Sequence, residues 1–125
     1  MALTHVLSVR NDMADIVSNA VDANAAVGKL ILKVAGTPAS TIPLNDPAFV
    51  IPATTDGEAV LIVSPEPTDD GAAGNGSPVD NFDFVDGSDV VVFSGIVPDD
   101  LTLTKATIAL DDIVKITSFT YKATP

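Results

Sequence analysis

Val79-Asp80-Asn81-Phe82-Asp83-Phe84-Val85-Asp86-Gly87-Ser88-Asp89-Val90-Val91-Val92-Phe93-Ser94-Gly95 reads as a β-hairpin, and it sets the class of the whole chain. Phe82 and Phe84 fall on alternate residues with Asp83 between them, so a period of two places both rings on one face of a strand and turns the carboxylate away. Asp86-Gly87-Ser88-Asp89 then interrupts the pattern with residues that accept positive φ, which makes residues 79–85 and 90–97 the two arms of the hairpin. The same signature recurs on either side. Residues 30–35 form a strand with Leu30, Leu32 and Val34 on one face, residues 58–64 form a second, and residues 101–110 and 112–122 supply two more after the hairpin.

The connections are read from their breakers. Pro38, Pro43, Pro47 and Pro52 each lack an amide donor, so residues 36–52 read as an extended connection anchored by Phe49 and Ile51. Residues 65–78 hold Asp69-Asp70-Gly71 and Gly74-Asn75-Gly76 and read as the longest flexible loop. Only the N-terminal region departs from β patterning: Val6, Val9, Met13, Ile16, Ala20 and Ala23 recur at spacings of three and four, with polar residues between them. This predicts a helix over about residues 5–23, capped at Thr4 or Ser8 and stopped before Gly28. The expected fold is mainly β, an antiparallel β-sandwich or barrel with one N-terminal α-helix. Its predicted core is Val9, Met13, Ile16, Val17, Leu30, Leu32, Val34, Val60, Ile62, Phe82, Phe84, Val91, Phe93, Ile116 and Phe119. A length of 125 residues suits a single domain over 1–125, with the β region at about 29–122.

Composition narrows function by exclusion. Seventeen acids against six bases give a net charge of −11, the wrong sign for neutralising phosphates, so no nucleic-acid partner is expected. The imbalance is concentrated between Lys33 and Lys105, where twelve acids and no base occur; such a surface keeps like-charged copies apart in solution. The longest apolar runs fall far short of the ~20 residues of a membrane helix, and the first ten residues lack a secretory signal. The expectation is a soluble protein made in a cytoplasm, with no membrane partner.

The chemistry-bearing residues are few. With no Cys, no Trp and His5 as the only imidazole, thiol chemistry, Cys-type zinc sites and two-imidazole sites are excluded. No serine sits in a Gly-x-Ser-x-Gly elbow, and Gly28-Lys29 lacks a phosphate loop around it. Asp80, Asp83, Asp86 and Asp89 recur every three residues, but on a strand Asp80 and Asp83 face opposite sides, and no calcium-loop pattern is present. The expectation is a protein that is not an enzyme and holds no cofactor or metal.

The residue pattern resembles a family of small structural proteins encoded among the head genes of tailed bacteriophages. The resemblance is carried by Arg10-Asn11-Asp12-Met13-Ala14-Asp15, Asp22-Ala23, Gly28, Leu30-Ile31-Leu32-Lys33-Val34, Gly36-Thr37-Pro38 and Leu44-Asn45-Asp46-Pro47-Ala48-Phe49. It continues in the 82–95 hairpin and in Asp111-Asp112-Ile113-Val114-Lys115-Ile116-Thr117-Ser118-Phe119-Thr120-Tyr121. By implication the chain is a virion protein, a capsid decoration or cement protein on the outer capsid surface. Its partner would be the major capsid protein, and it would be a homo-oligomer, with a trimer favoured over a dimer. Contacts with the capsid or between subunits are then expected from the N-terminal arm, through Leu3, Val6 and Leu7, and from the 37–52 segment, through Ile42, Leu44, Phe49 and Ile51. The acidic 65–78 loop is expected to face solvent. A tail or head–tail connector component, a β-sandwich adhesion or glycan-binding module, and a DNA-mimic inhibitor are the alternatives.

Overall fold

A computed structural model describes residues 7–23, 26–50, 58–74, 76–97, 101 and 107–122. The hairpin forms as its alternation requires: β5 (Asn81–Val85) runs antiparallel to β6 (Val91–Ile96) with Phe84 opposite Phe93. The other edge of β5 receives β1 (Lys29–Val34), where Leu30 faces Phe84 and Leu32 faces Phe82. β1 then turns through Ala35 and Gly36, both at positive φ (49° and 85°), into β2 (Thr37–Pro43). Two consecutive residues at positive φ match the twist of a tight hairpin, and the cost of placing Ala35 there is offset by its amide, which donates to the Asp80 carboxylate at 3.2 Å. The result is a four-stranded antiparallel sheet in the order β2-β1-β5-β6.

β2 corrects the reading of residues 36–52 as an extended connection. Pro38 and Pro43 are tolerated because β2 is an edge strand, where a missing amide donor leaves no ladder bond unmade. A bulge between Leu32 and Lys33, opposite Pro38 and Ser40, absorbs the residue left over.

Among the described residues two short pairs accompany the four-stranded sheet: β3 (Glu58–Val60) with β8 (Thr120–Lys122), and β4 (Thr68–Asp69) with β7 (Val114–Lys115). The strand expected at 58–64 is therefore only three residues long, extended by a single bridge from Leu61 to Phe49. The strand expected at 112–122 is split into β7 and β8. Within the expected 101–110 strand, the described residues contribute one bridge, Pro78 to Thr107, before the chain turns at Ala109–Asp112. The positive φ of Asp111 (64°) breaks the extended backbone there.

Residues 65–78 also differ from the flexible loop expected. The Ile116 amide donates to the Pro67 carbonyl, the Ala72 amide to Asp112, and the Gly74 amide to Ala39. The Asp69 carboxylate accepts from the Ser40 hydroxyl at 2.7 Å and from the Thr41 amide at 3.2 Å. This segment lies along the outer edge of β2 and covers it, which is one way a sheet edge is protected from pairing with another chain.

The core lies on the inner face of the four-stranded sheet. Leu30, Leu32, Ile42, Phe49, Phe82, Phe84 and Ile108 are buried, joined by Leu61, Ile116 and Phe119. Val34 and Phe93 are partly buried against this cluster, and Met13, Val17 and Ile62 are half-buried.

Helix α1 (Leu7–Val21) packs against β3, but not on the stripe that hydrophobicity suggests. Its buried residues are Ala14, Ser18 and Val21, whereas Val9 and Ile16 are 42% and 67% exposed. Small side chains decide the face, because Ala14 and Ser18 let the helix lie close, and the buried Ser18 hydroxyl is satisfied by donating to the Ala14 carbonyl at 3.1 Å. Val60 and Val91, also predicted as core, are exposed as well. Val60 points out from β3, and Val91 lies on the edge strand β6 beyond a bulge at Phe84/Val85. The chain is thus mainly β and antiparallel with one helix near its N-terminus, a β-sandwich-like arrangement.

Candidate interaction surface

Three of the expected contact residues have described side chains, and these three do not lie on the surface. Ile42, Leu44 and Phe49 are buried, at 0%, 4% and 0% exposure, and belong to the core. The segment that carries them has already made its backbone bonds inside the domain: the Leu44 amide donates to Gly28, the Val50 amide to Val60, and the Ile62 amide to Ala48. It therefore has little to offer another chain's sheet edge. Leu7 opens α1, and Leu3, Val6 and Ile51 lie outside the described residues.

The regularly spaced acids are dispersed by the fold. Asp80 accepts from the Ala35 amide, Asp86 accepts from the Ser88 and Val90 amides and closes the hairpin turn, and Asp89 pairs with Lys29 at 2.9 Å. Asp83 does not point freely into solvent as the alternation suggests. It is buried on the outer face of the sheet, paired with Lys33 and accepting from the Ser94 hydroxyl. Burial pushes its carboxyl up, but the Lys33 and Ser94 hydrogen bonds and the Lys33 charge outweigh it, leaving the group below the ordinary carboxylate range. Asp22 moves the other way: burial raises its carboxyl and Asp46 adds to the rise, against the lowering effect of the Ala48 amide it accepts from. Among the described residues no group of three acids or imidazoles is placed to hold a metal ion.

What the fold does assemble is aromatic. All six aromatic rings of the chain, five Phe and one Tyr, form one connected network. Phe84 lies at its centre, 4.6 Å from Phe93 and 4.8 Å from Phe119 between ring centroids. The network opens on one side into a groove of about 330 Å³ between β6 and β8, lined by Phe82, Phe93, Ser94, Gly95, Phe119, Thr120 and Tyr121. The sequence pattern places Phe82, Phe93 and Phe119 in the core, and Tyr121 is absent from that predicted core. The available signal was the alternation Phe119-Thr120-Tyr121, which puts both rings on one face.

Among the described residues, large aliphatic side chains are exposed at Val9 and Ile16 on α1, at Val50 and Val60 before and on β3, at Val90, Val91 and Ile96 along β6 and its turn, and at Leu110 and Ile113 around the Ala109–Asp112 turn. Comparison of the chain with protein-family models, with curated proteins and with solved structures finds no match.

Proposed function

We propose that the protein is a virion structural component, a capsid decoration or cement protein that binds and stabilises the lattice of the major capsid protein on the outer surface of the particle. The reading rests on the head-protein resemblance of the sequence. The structural observation that supports it is the distribution of exposed aliphatic residues over α1, β6 and the 109–112 turn of one small acidic domain. A cement protein must touch shell subunits and its own copies at once, and several separate apolar contacts, each modest, suit binding by repetition over a lattice. Val9 and Ile16, one heptad apart on the exposed side of α1, are suited to contact between copies around a threefold axis.

Fractionation of purified virions into heads and tails tests the reading. The protein is expected in the head fraction at a fixed ratio to the major capsid protein, and as a homo-oligomer, a trimer, by mass measurement in solution. Recovery with the tails would transfer it to the tail-component alternative.

A further inference from the structure

The geometry points to the turn around Leu110 and Ile113 as the docking knob of this protein, seated in an apolar pocket rimmed by Lys or Arg side chains on the shell subunit. This inference rests on the cement reading and names the surface and the partner chemistry. Leu110 and Ile113 are 72% and 66% exposed, yet they do not stand on a frayed loop. The Asp112 amide closes the turn onto the Ala109 carbonyl at 3.1 Å, and the Asp112 carboxylate accepts from the Ala109 amide at 2.9 Å. The neighbouring segment then clamps it from the side, with the Ala72 amide donating to Asp112 and the Asp111 amide donating to Ala72. Gly74 sits against the Ala109–Leu110 peptide at φ +72°, where a Cβ would fall 2.4 Å from backbone atoms. Ile108 and Ile116, both buried, anchor the chain on either side. Two large aliphatic side chains are therefore held out on a pre-ordered support, which lowers the entropy lost on docking.

The charge around them selects the partner. Asp70 and Asp111 are exposed beside the knob, Asp69 lies on the paired strand β4, and Lys115 is the one base on β4 and β7, the strands that frame it. An apolar tip with an acidic collar complements an apolar pocket with a basic rim. It disfavours a second copy of this turn as the occupant, because that copy would bring the same acidic collar.

The test is binding of purified full-length protein to expanded capsids that lack it, measured by co-sedimentation at two salt concentrations. Wild type is compared with Leu110→Ser/Ile113→Ser, Asp70→Asn/Asp111→Asn and, on the other exposed edge, Val91→Ser/Ile96→Ser. All three pairs change exposed residues, and circular dichroism and thermal melting check that each variant is folded. Leu110→Ser/Ile113→Ser is expected to weaken binding by about 30-fold or more, as for a hot-spot pair. Asp70→Asn/Asp111→Asn is expected to weaken it less and to flatten its dependence on salt. If wild type saturates the capsids and both variants bind as it does, the knob is overturned while the cement reading stands; loss confined to Val91→Ser/Ile96→Ser would move the docking surface to β6. No binding by wild type would overturn the cement reading and the knob with it.

Discussion

Replacing Phe84 by Ala removes the ring at the centre of the aromatic network and is the severest single truncation the fold offers. Phe84 has no exposed surface and contacts Phe49, Phe82, Phe93 and Phe119 at centroid distances of 5.8, 5.8, 4.6 and 4.8 Å. Its neighbours come from β5, β6, the loop before β3 and the segment before β8, so they cannot close over the cavity together without moving several elements. The loss should fall at the upper end of the range for buried Phe→Ala, about 4–5 kcal/mol. That is a large part of the ~5–15 kcal/mol available to a domain of ordinary stability. The chain has no Trp, so urea unfolding is best followed by circular dichroism; with a slope of ~2 kcal/mol per molar, the midpoint should fall by about 2 M. Phe93→Ala, at the half-buried rim of the groove, should cost about half as much. A loss below about 1 kcal/mol for Phe84→Ala, or a larger loss for Phe93→Ala, would refute the packing described.

Three further outcomes are expected. Gly74→Ala should destabilise by about 2 kcal/mol or more, since the residue is at positive φ and its Cβ would meet the Ala109–Leu110 peptide; urea unfolding measures it. Lys33→Ala should cost about 3 kcal/mol by stranding the buried Asp83 carboxylate, whereas Lys29→Ala, which breaks a pair whose side chains are 30% and 65% exposed, should cost under about 0.5 kcal/mol in the same assay. Stability should also vary with pH in two opposite ways. Asp83, held below its ordinary value of 3.8, contributes stability above that value that is lost as pH falls through its folded pKa, so Asp83→Asn should lessen the loss of stability on acidification. Asp22, raised above 3.8, is favourable when protonated and loses that contribution as pH rises through its folded pKa, so Asp22→Asn should gain on wild type by thermal melting as pH rises from 3.8 through that folded pKa.

The parts of this fold that are legible in the sequence are those specified locally. The 81–96 hairpin follows from Phe82/Phe84 alternation and a turn sequence, and Leu30 and Leu32 face the core because β1 is laid against it. The helix is legible as a helix, but its orientation is not. Ala14 and Ser18 win the buried face by being small enough for close approach to β3, which hydrophobic periodicity scores against. β2 is hidden by its prolines, because edge position is a property of the sheet and not of the segment. Residues 65–78 look flexible because the partners that hold them, Ala39, Ser40, Asp112 and Ile116, are distant in sequence.

The surface is the least legible part, for the same reason in reverse. Ile42, Leu44 and Phe49 look like anchors on an exposed strip until pairing of β2 folds that strip inward. Val9, Ile16, Val60 and Val91 look like core until the structure turns them outward. No local pattern separates these cases, because both sets are large aliphatic or aromatic residues in segments of mixed polarity.

Titrating purified protein onto expanded capsids that lack it, while recording the temperature at which they release DNA, tests the cement function. The prediction is a saturable curve whose plateau is a fixed ratio to the major capsid subunit, with a release temperature that rises in step with occupancy. Absence of saturable binding, or full occupancy with an unchanged release temperature, would contradict it.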